Sequence, residues 1–85
     1  MGIDIIRYPL STEKSIRLME SKNTLIFVVQ NSSTKKEIKE AIEELYNVKV
    51  VKVNTTIGPD YKKRAYVRFS EETPAINVAT QLGLM

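Results

Sequence analysis

The sequence contains neither cysteine nor histidine. Together these absences exclude disulfides, thiolate nucleophiles, zinc sites built from Cys and His, and imidazole acid-base chemistry. A reducing, cytosolic compartment fits such a chain. Serines and threonines have no histidine partner, and no glycine-rich loop resembles a phosphate cradle. The opening Met-Gly-Ile-Asp-Ile-Ile has an early acid and no basic region. No apolar run is long enough for a signal peptide or a membrane span, so the expectation is a soluble protein with no membrane insertion. No repeat, linker or low-complexity segment stands out. Acids concentrate at Glu37, Glu40, Glu43 and Glu44 and at Glu71 and Glu72, and Glu40, Glu43 and Glu44, on a wet helix face without a pocket, serve solubility. The expectation is therefore no enzyme, no metal and no cofactor.

What is present makes one domain, residues 1–85, able to bury roughly 60 to 65% of its unfolded surface in a single modest core. Thirteen Lys and Arg against ten Asp and Glu give a net charge of +3, which favours anionic partners without requiring them. The chain is organised around Thr24 to Gln30. Alternate side chains of a strand point to opposite faces, so Leu25, Phe27 and Val29 load one face and Ile26 and Val28 the other. An apolar residue at every position predicts an interior strand covered on both sides by helices or other chain.

In chain order, Ile3 to Tyr8 predicts a short edge strand ended by Pro9. Ser11 is the expected N-cap of a helix running to about Glu20, with Glu13 in its first turn, and Ser21-Lys22-Asn23 is the expected turn. Thr34 and Glu37 have capping-box spacing, and Ile38, Ala41, Ile42 and Leu45 form one apolar stripe of the helix they open. Asn47 is a suitable helix stop, and Val48 to Ile57 reads as a β-branched strand whose parity shifts between Val50 and Val51, the sign of a bulge. Gly58-Pro59-Asp60 is turn chemistry, so Lys62 to Ser70 returns as a hairpin partner with Ala65, Val67 and Phe69 inward and Arg64, Tyr66 and Arg68 on the other face. Thr73 as N-cap and Pro74 at the first helical position open a last helix with Ala75, Val78, Ala79 and Leu82 as its stripe, stopped by Gly83 with Leu84 folding back over it. The order is β-α-β-α-β-β-α. It predicts an α+β, ferredoxin-like plait, a mainly antiparallel four-stranded sheet with helices packed on it.

The run from Lys62 to Phe69 sets Tyr66 between Arg64 and Arg68, the combination that stacks a base and neutralises phosphate. An ordinary alternating strand with lysines guarding an edge gives the same pattern. Its last residues fit the end of the RNP1 pattern of RNA-recognition motifs, and Ile26-Phe27-Val28 looks like the start of RNP2. Lys63 and Arg64 stand where that pattern has glycine and its first stacking aromatic, and the fourth strand of that fold is missing after the last helix. A free-standing single-stranded RNA binder with Phe27 and Tyr66 stacking bases is the alternative reading.

Four segments in order carry a more specific likeness. They are Tyr8-Pro9-Leu10-Ser11-Thr12-Glu13-Lys14-Ser15, Asn23-Thr24-Leu25-Ile26-Phe27, Thr34-Lys35-Lys36-Glu37-Ile38 through Glu44-Leu45-Tyr46, and Val50-Val51-Lys52-Val53-Asn54-Thr55. Over nearly the whole chain they resemble the universal large-subunit ribosomal protein family number twenty-three, found at the polypeptide exit-tunnel rim. The resemblance implies a structural protein bound to large-subunit rRNA beside neighbouring ribosomal proteins, monomeric when isolated, and cytoplasmic as part of the ribosome. It also implies a docking surface for nascent-chain factors such as the signal recognition particle, with Glu13 as the factor-docking candidate. Carried over by position, Thr12, Lys14, Lys35, Lys36, Asn54, Thr55, Lys62, Lys63 and Arg64 become RNA-contact candidates, joining Tyr66 and Arg68. Only about Gly58 to Lys62 occupies the place of the long basic insertion of bacterial members, which implies the archaeal or eukaryotic type.

Overall fold

A computed structural model describes residues 5–82. Within it the chain forms β1 (Ile6–Pro9), α1 (Glu13–Lys22), β2 (Thr24–Val29), α2 (Lys35–Tyr46), β3 (Val50–Ile57), β4 (Lys63–Phe69) and α3 (Ala75–Gln81). The sheet order is β1-β2-β4-β3, and each neighbouring pair is antiparallel. β2 and β3 are therefore parallel to each other with β4 inserted between them, and α2 makes the crossover. β1 lies against the free edge of β2, so the N-terminal strand occupies the edge where a plait otherwise places a fourth strand from its C-terminus. This is the expected α+β plait.

Register assigns every side chain to a face. Leu25, Phe27 and Val29 on β2 meet Val67, Ala65 and Lys63 on β4, and Val53 and Thr55 on β3 pair with Val67 and Ala65. These inward positions, apart from Lys63 and Thr55, pack with Met19 of α1, Ile38 and Ile42 of α2, and Ala75, Val78 and Ala79 of α3 in one core. Phe27, Ala65, Val67, Ile38 and Ile42 have no measurable exposure. Burying a side chain of that size contributes roughly 1.5–3 kcal/mol. The opposite face carries Thr24, Ile26 and Val28, then Arg64, Tyr66 and Arg68, then Lys52, Asn54 and Thr56. All six residues of β2 are buried, as its composition requires. α2 and α3 both pack on the inward side, and Ile26 and Val28 lie outside that core yet are also buried, so β2 is covered on both faces as expected. On their own face Ile26 lies opposite Tyr66 and Val28 between Arg64 and Tyr8.

Between Val50, opposite Phe69, and Lys52, opposite Arg68, one residue is extra, which is the expected parity shift. It leaves Val51 54% exposed and turns Lys52 and Asn54 outward. Thr34 and Glu37 form their reciprocal cap, and Asn47 takes the left-handed conformation at the end of α2. Other boundaries move. The cap of α1 is Thr12 rather than Ser11, because Ser15 reciprocates three residues on: Ser15 N donates to Thr12 Oγ1 at 3.2 Å and Thr12 N to Ser15 Oγ at 2.8 Å. α1 extends through Lys22, and only Asn23 (φ 52°) remains of the expected turn. α3 begins one residue later than expected, with Pro74 in the cap position, and β3 starts at Val50. Leu45 is 41% exposed, at the margin of its stripe. Gly83 and Leu84, and the start of the strand expected from Ile3, lie outside the described residues.

Candidate nucleic-acid interface

The outward face of β3 and β4 takes its character from period-two alternation: the residues that fill the core leave Lys52, Asn54, Tyr66 and Arg68 pointing away from it. α1 brings more charge to the same side. Lys14, Leu18 and Lys22 recur four residues apart on one helical face, and Lys14 Nζ stands 5.6 Å from the centre of the Tyr66 ring. Leu18, Lys22, Thr24, Lys52, Asn54, Tyr66 and Arg68 line a shallow groove of about 220 Å³. No carboxylate lines it, and among the described residues neither ion pair involves Lys14, Lys22, Lys52 or Arg68.

Arg64 continues this face toward the hairpin, where its guanidinium lies 3.2 Å from Asp60 Oδ2. The backbone N–H of Lys62, donated to Asp60 Oδ1 at 3.2 Å, and then Arg64 hold the Asp60 carboxyl below the usual carboxylate range. Lys62 stands at the β1 edge, its ammonium 3.4 Å from the Tyr8 hydroxyl and 6.0 Å from that ring's centre.

The other positions picked out from sequence lie elsewhere. Asn54 is outward, but its neighbour Thr55 pairs with Ala65 on the helix side. Lys63 also faces that side and donates its ammonium to the Ser33 carbonyl, beside the exposed Lys35 and Lys36 that begin α2. Thr12 is committed to the α1 cap, and Glu13 is exposed and pairs with Arg17 at 2.6 Å. The structure thus gathers Lys14, Asn54, Arg64, Tyr66 and Arg68 on one side, sets Lys62 at its rim, and separates Thr55, Lys35, Lys36 and Lys63 from it. Sequence reasoning missed Lys22 and Lys52. The helical spacing from Lys14 signals the first, and pairing the outward parity of β3 with that of β4 signals the second.

Phe27 is a correction. It was expected on a stacking surface in the alternative reading, but its parity turns it into the core, where its ring stacks on Tyr46 at 6.3 Å. No base can reach it. Burial of Tyr46 in the same place raises the pKa of its phenol.

The fold and this face define a small α+β protein with an open cationic sheet surface carrying one central tyrosine, and no cluster of metal-ligating side chains among the described residues. The pattern described as Ribosomal protein L23 matches residues 4–80. The chain is 51% identical over 81 residues to large ribosomal subunit protein uL23 of Trypanosoma brucei brucei, covering 95% of this chain and 49% of that one. It is 44% identical over 81 residues to uL23A of Caenorhabditis elegans, covering 95% and 55%. It is 43% identical over 83 residues to uL23 of the archaeon Methanococcus vannielii, covering 98% and 96%. The chain belongs to this family of large-subunit ribosomal proteins, whose members are structural rather than enzymatic. It spans about half the length of the two eukaryotic relatives and nearly all of the archaeal one.

Proposed function

We propose that this protein is a structural constituent of the cytoplasmic large ribosomal subunit and lies on large-subunit rRNA through its outward sheet face. The observation that carries this is the convergence of Lys14, Lys22, Lys52 and Arg68 around Tyr66, with no carboxylate lining the groove between them. Cations arranged on a surface of fixed shape contact phosphates without reading sequence, which suits folded RNA. Lys35 and Lys36 at the start of α2 form a second contact on the helix side, so two faces of one small body touch RNA. Placement at the exit-tunnel rim, contacts with neighbouring ribosomal proteins, and docking of nascent-chain factors such as the signal recognition particle at exposed Glu13 follow from the family resemblance.

The test is the salt dependence of binding to large-subunit rRNA by the full chain and by the K52E/R68E double variant. Each phosphate contact contributes roughly 0.7 to 0.9 to the log-log slope, so the double variant loses about 1.4 to 1.8. It also leaves the large-subunit peak at high salt in sedimentation, where the unaltered protein stays at one copy per subunit. A flat salt dependence, or an unchanged slope in the double variant, overturns the proposal.

A further inference from the structure

The turn before β4 holds an aromatic side chain that the fold does not use. Tyr61 has φ 60°, in the left-handed region that costs a residue with a Cβ free energy, yet its side chain is 80% exposed and returns nothing to the core. The surroundings brace it. Tyr61 N–H donates to the Gly58 carbonyl at 2.9 Å, and Asn31 Nδ2 donates to the Tyr61 carbonyl at 2.7 Å. Asn31 Oδ1 accepts from Lys63 N–H at 3.2 Å, so one side chain from the β2–α2 loop clamps both sides of Lys62.

Tyr61 borders a groove of about 460 Å³ whose other walls are Tyr8, Arg7 and Lys62 and which is closed behind by β2 at Val28 and Val29. Tyr8 is 43% exposed, with the Lys62 ammonium over its ring. No carboxylate lines this groove; Asp60, next in the chain, is engaged with Lys62 N–H and Arg64. Two exposed aromatic rings and two cations are complementary to an anion that carries a flat ring. Each polar atom of the Asn31 amide makes one of these bonds, so the turn it braces fixes the orientation of the amide.

We infer that this groove holds one unstacked nucleotide of the bound RNA, its base against Tyr61 and its phosphate between Arg7 and Lys62. This rests on the rRNA reading above and adds to it a single base bound by stacking, on the β1 side of the sheet and away from the Lys52–Arg68 groove. Recognition is by ring face, so a purine binds more tightly than a pyrimidine.

The test compares two short single strands of equal length, one wholly abasic and one carrying a single adenine, titrated into the full chain at low salt. The adenine strand binds about 5- to 160-fold more tightly. Tyr61→Asn keeps the left-handed turn and removes the ring, and it abolishes that difference while leaving the abasic affinity in place; Tyr61→Phe retains it. Chemical-shift changes on adding the adenine strand centre on Tyr8, Val28 and Tyr61. Equal binding of the two strands by the unaltered protein overturns the inference, as does a preference that survives Tyr61→Asn or a groove that responds only to an aromatic peptide. The rRNA reading is judged separately by the slope of K52E/R68E, whose substitutions lie outside this groove.

Discussion

Asn23 offers the sharpest test of how the cationic face is held. It ends α1 in the left-handed conformation, and its side chain reaches the turn between β4 and α3. Nδ2 lies 3.1 Å from the Phe69 carbonyl, 3.1 Å from that of Ser70 and 3.2 Å from that of Thr73, so its two hydrogens are shared among three acceptors. Oδ1 accepts from Ala75 N–H at 2.6 Å and caps α3, whose own cap residue, Pro74, offers no side-chain bond. Phe69 N–H in turn donates to the Asn23 carbonyl. One residue therefore ties the end of α1 to the end of β4 and the start of α3.

Truncation removes about three net side-chain hydrogen bonds at roughly 1 kcal/mol each. Asn23→Gly keeps the backbone conformation and loses about 2–3 kcal/mol, while Asn23→Ala adds roughly 1 kcal/mol of left-handed strain. Asn23→Asp keeps the acceptor for Ala75 but turns an oxygen toward three carbonyls, so it falls at or below the alanine variant despite its equal size. A chain of this length has roughly 4 to 13 kcal/mol in total, so each loss is a large fraction of the whole. Urea denaturation at pH 7 reads these as shifts in midpoint at constant slope. Because Lys14 and Lys22 ride on α1, the glycine variant also shows a shallower salt dependence of RNA binding. An aspartate variant as stable as the unaltered protein, or alanine and glycine variants within about 0.5 kcal/mol of it, refutes the assignment of this hub.

Phe27→Leu keeps most of the buried volume and costs about 1 kcal/mol by chemical denaturation, while RNA affinity measured in folding conditions stays unchanged; a Phe27 that stacked bases would lose affinity first. Thr34→Ala removes the α2 cap and costs about 1 kcal/mol. The Glu37 carboxyl is held below its ordinary pKa by hydrogen bonds from the Thr34 backbone N–H and the Thr34 side chain, so its contribution is present above the ordinary carboxylate range and is lost as pH falls through the lowered folded value. Glu37→Gln therefore shows a smaller drop in urea midpoint than the unaltered protein between pH 7 and about pH 3. A Cβ at Gly58 would clash with the Arg64 guanidinium, the movable end of a flexible side chain. Gly58→Ala accordingly swings Arg64 off Asp60 at a cost under about 1 kcal/mol, and the Asp60 carboxyl titrates closer to its ordinary value in NMR.

Legibility followed the range of the forces involved. The order of elements, the α2 cap, the Asn47 stop and the extra residue at Val51 are local, set by periodicity and by hydrogen bonds three or four residues apart, and they could be read directly. The α1 cap slipped by one position because Ser15 reciprocates Thr12 where a glutamate or glutamine would be the usual sign. Asn23 looked like one more turn residue, since three of its four side-chain partners are carbonyls 46 to 50 positions away. Faces are harder still. Parity says that Phe27 opposes Ile26 and Val28 but not which of the two sides receives the helices, and the pattern match to RNA-binding strands puts Phe27 on the face of Tyr66 although the register sets Ile26 there. Which side it is depends on the crossover: β2 and β3 are parallel, and the helix that joins such strands takes the right-handed path, which selects one side of the sheet. α1 sends Met19 into the core and Lys14 over Tyr66. α2 and α3 share the inward side, and the opposite side is left to the cations. The chain's usable charge is thus a consequence of how whole elements connect, which no single segment announces.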